Sequence, residues 1–293
     1  MIDRLSVKWL QVENTTKCNA WCPGCGRNNG GFGLNKDLVI EDLPTNRLKE
    51  VLEYFPNLHA VQFCGTYGDT VAAANVLEHI DVAMSYAEKI QIHTHGGIRN
   101  ASWWENLGKK LSGFNHNVWF AIDGLKGVHE VYRQGTDFDK VIENASAFIS
   151  AGGVATWQFI PWEHNESQIQ DCLKLSQQIG FKKFIVLKDV KHRRQGYHWK
   201  TGEPIEFRPW SRATNTNRAI SVPEKKRDAV DITNCRHIQD PSVYLNANGL
   251  LSSCCFFNWH RSTERFDQLP NIESELITNP DQRCLTNCGY IKD

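Results

Sequence analysis

The chain has 293 residues, 41% hydrophobic, 11% aromatic and 23% charged, an ordinary globular composition that excludes a lone small module and a disordered chain. Its 33 Lys and Arg balance 33 Asp and Glu, so no global field draws it to nucleic acid or to an anionic membrane. No apolar run approaches the roughly 20 residues of a membrane helix, and the opening MIDRLSVKWLQVEN lacks a signal-peptide core. The reading is a soluble, cytoplasmic protein with no membrane partner.

In chain order, β-branched runs alternate with amphipathic stretches. The predicted strands are 7–13, 59–64, 89–94, 117–122, 154–160 and 182–188. Between them fall predicted helices over 45–55, with Thr45 as N-cap, then 71–87, 101–111, 137–151 and 166–179, the last ending at Gly180. Strand and helix in strict alternation predict a parallel α/β sheet, because parallel neighbours need a crossover of a dozen or more residues. A flat doubly wound sheet and a partial barrel both satisfy the pattern. In either, functional groups gather at the carboxyl ends of the strands, where Gly65–Asp69, Thr94–Gly97 and Asp123–Gly124 fall. After residue 189 the periodicity stops. Residues 191–227 hold 10 Lys/Arg and 3 Asp/Glu, a local excess of 10 − 3 = 7 positive charges. Tyr197, Trp199, Phe207 and Trp210 lie among them, so the segment reads as a connector or lid, with a nucleotide or nucleic-acid contact as the alternative. A hairpin is predicted over 242–256, turning at Asn246–Gly249.

Ten cysteines in a reducing compartment point to metal rather than to disulfides. Cys18, Cys22 and Cys25 form a C-x3-C-x2-C loop after the first strand; Cys235, Cys254, Cys255, Cys284 and Cys288 form a group in the tail; Cys64 and Cys172 stand alone and read as buried apolar residues. Three thiolates on one loop can ligate three irons of a cubane and leave the fourth open. A structural zinc, with a histidine from elsewhere, is the alternative.

The C-x3-C-x2-C loop, placed after a first strand and before βα repeats, resembles that of the radical SAM superfamily. Further likenesses are Gly65-Thr66-Tyr67-Gly68-Asp69 where that family has a Gly-Gly-Glu-like segment, Thr94-His95-Gly96 for its Thr-Asn-Gly, and Ala121-Ile122-Asp123-Gly124 for its Ser-Ile-Asp-Gly, with Arg133 following. Over about residues 7–190 the resemblance implies a partial (βα)6 barrel. It implies a [4Fe-4S] cluster on Cys18, Cys22 and Cys25 that binds S-adenosylmethionine (SAM) and cleaves it to a 5′-deoxyadenosyl radical. Gly65, Gly68, Asp69, Thr94, His95, Asp123 and Arg133 become the expected cofactor-binding residues, Asp69 meeting the amino group and Arg133 the carboxylate. Departures are Pro23 after the second cysteine, Trp21 beside it as an adenine or core contact, and Ala121 for serine.

The tail pattern C-x13-G-x4-C, from Cys235 through Gly249 to Cys254, resembles the start of SPASM and twitch extensions. The likeness implies a second, auxiliary [4Fe-4S] cluster on Cys235, Cys254, Cys284 and Cys288, with Cys255 packed on the barrel. The expected division is a barrel over 1–190, a basic connector over 191–234 and a twitch-like domain over 235–293. The resemblance implies hydrogen abstraction from a peptide or protein side chain, with the auxiliary cluster as electron acceptor and a flavodoxin- or ferredoxin-type reductant. Alternatives are dehydrogenation or rearrangement of a small polar metabolite or nucleotide, and a non-enzymatic electron-transfer or regulatory protein. The first cluster motif starts by residue 18, which leaves no room ahead of it for a peptide-recognition domain and keeps small substrates open.

Overall fold

The computed structural model describes residues 3–113, 115–187, 194–211, 235, 241–255 and 262–270. The six predicted strands form: β1 (Trp9–Val12), β2 (Ala60–Phe63), β3 (Lys89–Thr94), β4 (Asn117–Ala121), β5 (Ala155–Phe159) and β6 (Lys183–Val186). They pair in sequence order, all parallel, as the βα alternation requires. The connecting helices are α1 (Thr45–Tyr54), α2 (Val76–Met84), α3 (Ala101–Leu111), a single turn α4 (His129–Tyr132), α5 (Phe138–Ser150) and α6 (Ile169–Ile179).

Alternate strand residues divide between two faces. Leu10, Val12, Val61, Phe63, Ile90, Ile92, Val118, Phe120, Trp157 and Phe159 are buried in the main core with Leu48, Val51, Ile80, Trp104, Leu107, Val141 and Phe148 from the helices. The α3 and α5 backbones approach closely at Gly108, where a Cβ would stand 2.4 Å from the Phe148 carbonyl oxygen. Only glycine fits there.

Two helix starts differ from the sequence expectation. The run 71–87 splits into a short turn at Thr70–Ala72 and then α2. Arg99 takes the carbonyls of Val71 and Ala73 at 2.9 and 2.8 Å, so these oxygens are engaged outside any helix. Thr45 is the first residue of α1 rather than its cap; Pro44 holds the cap position, and the Thr45 hydroxyl accepts from Asn75 instead.

Among the described residues, two further pairs of strands follow. The basic segment contains an antiparallel hairpin, β7 (Arg194–Tyr197) with β8 (Pro204–Phe207). The tail hairpin also forms, β9 (Ser242–Leu245) with β10 (Leu251–Ser252), turning through Asn246–Gly249. Strand β9 pairs in parallel with β1, which makes one eight-stranded sheet ordered β10-β9-β1-β2-β3-β4-β5-β6. Among the described residues, no helix is long and apolar enough to cross a membrane.

Candidate functional site

At the carboxyl ends of the strands lies a cavity of about 260 Å³, near the lower end of the usual range for ligand sites. Its walls include Cys18, Cys22 and Cys25, the loop Gly65–Asp69, Thr94, His95 and Arg133, so nine expected site residues that are distant in sequence meet in one place. Residues not anticipated also line it: Arg27, Asn28, His93, Tyr132 and Gln158.

The cysteine loop is held by its backbone. Cys25 N–H donates to the Cys22 carbonyl at 3.1 Å, Trp21 N–H to the Gln134 carbonyl at 2.7 Å, and Ala20 N–H to Cys18 Sγ at 3.3 Å. All three cysteines are free thiols. Burial, with the Asp69 carboxylate and the neighbouring thiols adding to it, pushes Cys18 well above the ordinary thiol value; burial takes Cys22 up to about 11 and raises Cys25 as well. A buried thiolate therefore needs a compensating cation, which iron supplies on coordination. Three soft sulfur donors with no internal cation to neutralise them all are a donor set that fits an iron–sulfur cluster. Among the described residues, no group of three or more His, Cys, Asp or Glu is gathered around one ion position.

Asp69 is 3% exposed and caps the turn at Thr70–Ala72. Its carboxylate accepts from Val71 N–H (3.1 Å), from the Thr94 hydroxyl (2.9 Å to Oδ1, 3.0 Å to Oδ2) and from His95 N–H (2.8 Å). Asp69 thus ties the loop after β2 to the end of β3, with most of its acceptor capacity used inside the protein. Gly68 is required in that loop, because a Cβ would stand 2.0 Å from the Thr15 carbonyl oxygen.

Arg133 lines the cavity with Nη1 3.9 Å from Cys22 Sγ. Asp123 is fully buried and is not among the lining residues; its Oδ2 accepts from Arg133 Nε at 2.6 Å and its Oδ1 from Ile160 N–H at 2.7 Å. Burial alone would lower the Arg133 pKa, but Asp123, with Cys22 and Tyr132, raises it above the ordinary arginine value. Arg133 is a fixed cation aimed by a buried carboxylate.

Glu13 and Tyr244 escaped the sequence reading. Glu13, at the end of β1, accepts from Tyr67 N–H (2.5 Å) and Gly68 N–H (3.0 Å), while the Tyr244 hydroxyl on β9 donates to its other oxygen at 2.7 Å and lies 2.9 Å from the Thr66 hydroxyl. The glycine loop is therefore anchored to the tail strand. Desolvation raises Glu13 to about 7 despite these donors.

The β7–β8 hairpin lies over the cysteine loop. Arg194 Nη1 donates to the Gly24 carbonyl at 3.0 Å, Tyr197 N–H to the Gly30 carbonyl at 2.7 Å, and Trp199 stacks on Trp21 at 6.2 Å between centroids. Phe207 is buried with Tyr132 and Trp162 beside Cys22. Of the tail cysteines, Cys254 is buried and Cys255 and Cys235 are partly exposed, none of them lining the cavity; Cys284 and Cys288 lie outside the described residues.

With the barrel and its rim in place, the architecture defines the class of fold: the chain has the fold of the radical SAM enzymes. Streptococcus suis SuiB bound to S-adenosylmethionine aligns with 94% of this chain and 67% of its own, at a TM-score of 0.59 and 12% identity. SuiB bound to precursor peptide SuiA aligns with 62% of this chain and 39% of its own, at 0.50 and 15% identity. Native anSMEcpe with bound AdoMet and Cp18Cys peptide aligns over 62% of this chain and 50% of its own, at 0.47 and 19% identity. The chain thus spans about half the length, or less, of anSMEcpe and of peptide-bound SuiB. No family model matches the sequence, and no curated protein does.

Proposed function

We propose that the protein is a radical SAM enzyme that modifies a peptide or protein side chain oxidatively. The observation that carries this reading is the meeting of three buried, free thiols with Arg133 and the Gly65–Asp69 loop around one cavity, on a fold shared with SuiB bound to S-adenosylmethionine. Cys18, Cys22 and Cys25 would hold the cluster, and SAM would lie between Arg133 and the glycine loop. When bound, cluster and SAM supply a one-electron cleavage that yields a hydrogen-abstracting radical.

The chain's own residues bind, orient and exclude water. Arg133, aimed by Asp123, offers its remaining guanidinium N–H groups to a carboxylate. Asp69 keeps the Gly65–Gly68 loop against β3, so that Thr94 and His95 face the same space. The aromatic group of Tyr132, Trp162 and Phe207 shields the thiols from water. Cys235, Cys254, Cys284 and Cys288 are the ligands we assign to an auxiliary cluster that accepts the substrate's electron, with a flavodoxin- or ferredoxin-type protein as reductant. The peptide substrate draws support from SuiB, which is bound to precursor peptide SuiA.

The test is anaerobic reconstitution followed by SAM and dithionite. Wild-type protein should release 5′-deoxyadenosine and methionine. Replacing Cys18, Cys22 and Cys25 with alanine should remove about half of the iron, one cubane of two, and abolish release. Iron content and cleavage that both survive the triple substitution would overturn the assignment.

A further inference from the structure

The inward faces of the strands form rows that the mechanism does not use. The registers place Gln11, Gln62, Gln91 and Asn117 across from one another, and His93 level with Trp119 and Thr156, all opposite in sense to the apolar residues of the core. His93 and Gln158 reach the floor of the cavity. Among the described residues, the charges near these inward positions are Glu13, Asp69 and Arg133 above, Lys89 below, which lies over the Trp9 ring, and Lys183, which pairs with Thr156 in the His93 row but is exposed on the β6 edge. Of the inward positions of the middle rows, buried Gln91 and Thr156 and half-buried His93 are polar and uncharged.

His93 is oriented by its neighbours. Its Nε2 is 3.1 Å from the Gln62 carboxamide nitrogen and 2.7 Å from that of Gln91, so this ring nitrogen accepts and Nδ1 carries the proton. Its ring stacks on Trp119 at 5.0 Å. Burial lowers its pKa to about 4, which keeps the imidazole neutral. Two buried acceptors on the same inward face, Asn117 Oδ1 and fully buried Thr156 Oγ1, have no hydrogen-bond partner, but neither residue lines the cavity. Among the described residues, the Gln158 carboxamide also makes no hydrogen bond. Such groups cost free energy until a ligand or water satisfies them.

We propose that the barrel floor beside His93 and Gln158 is the substrate pocket, and that the group it takes is an uncharged amide, from a carboxamide side chain or a main-chain peptide unit. This rests on reading the cavity above it as the SAM site. A carboxylate or phosphate here would have to draw on Arg133, which the SAM reading commits to the cofactor, and an ammonium on Asp69, whose oxygens are already engaged, so a charged group would be desolvated against the neutral His93 and Gln158 at a large cost. An amide supplies what these two wall residues lack, a carbonyl for the imidazole N–H of His93 and a planar donor–acceptor pair that meets the Gln158 carboxamide at two points. His93 and Gln158 thereby become specificity-determining residues.

Saturation-transfer NMR on the full-length, reconstituted protein tests this with four probes: acetamide, N-methylacetamide, acetate and glycerol. Acetamide or N-methylacetamide should bind, the first alone marking a side-chain carboxamide and the second a main-chain amide, while acetate and glycerol should not. Gln158→Leu, and His93→Phe as a second variant with circular dichroism confirming its fold, should each weaken amide binding about three- to tenfold, the value of one neutral hydrogen bond. Acetate or glycerol binding as well as the amides, no amide binding, or amide binding untouched by both variants would overturn the inference. Iron content and SAM affinity measured on the same samples separate the two claims. Amide binding without iron or SAM binding defeats the radical SAM reading alone, and intact SAM binding without amide preference defeats this one alone.

Discussion

Asp69 and Arg133 face the same cavity, but their surroundings give them different freedom. Asp69 spends its oxygens on Val71, Thr94 and His95, so the contact we propose for it with a SAM amino group would be combined with a structural task. Asp69→Asn keeps the shape and removes the charge; SAM affinity should fall by about one to two orders of magnitude, since a charge-assisted hydrogen bond is worth about 1.5–3 kcal/mol, and equilibrium dialysis against SAM would expose an unchanged affinity. Glu13 makes a pH prediction. Its folded pKa of about 7 lies above the ordinary 4.5, so the folded state binds the extra proton. The stability linked to it is complete below about pH 4.5 and is lost as pH rises through 7, a difference on the order of 3 kcal/mol. Denaturant unfolding of wild type and Glu13→Gln should therefore converge or cross between about pH 5 and about pH 8, with wild type losing ground as pH rises; parallel pH profiles would count against it.

At the scale of elements, the strands were legible because apolar residues alternate along them, and the site loops were legible because glycine and acidic residues recur just past each strand. The β7–β8 hairpin was not. Its four-residue strands are mostly exposed, their apolar face amounts to Ile205 and Phe207 alone, and the hairpin is anchored to a loop about 170 residues earlier. One signal was available for the pocket floor: Gln11, Gln62, Gln91, Asn117 and Gln158 sit at inward strand positions where an apolar lumen would carry Val or Ile. The hairpin predicts its own behaviour. Trp199→Ala removes a stacked pair worth about 0.5–1.5 kcal/mol, so the cluster's visible absorption should bleach about three- to tenfold faster in air with its initial iron content unchanged. Equal bleaching rates would mean that the hairpin does not shield the cysteine loop. Packing of α3 on α5 gives a second prediction. Gly108→Ala drives a methyl to 2.4 Å from a backbone oxygen and should destabilise the protein by about 1–3 kcal/mol, read as a lowered denaturation midpoint; an unchanged midpoint would show that the helices can separate without cost.

Across the whole molecule, the tail belongs to the barrel sheet as well as to its own hairpin, through β9 on β1 and Tyr244 on Glu13. Sequence periodicity could not reveal this, because pairing between strands about 230 residues apart leaves no local trace. It has a consequence during synthesis. Chains emerge at about 5–20 residues per second, so β1 waits on the order of ten to fifty seconds with one edge unpaired before residues 242–245 arrive to cover it. An open edge of that kind is a template for foreign strands, and the sheet's long-range closure makes the wait unavoidable for this chain order. The neighbourhood of Glu13 and the glycine loop would then be among the last parts of the barrel to settle, after most of the polypeptide has left the ribosome.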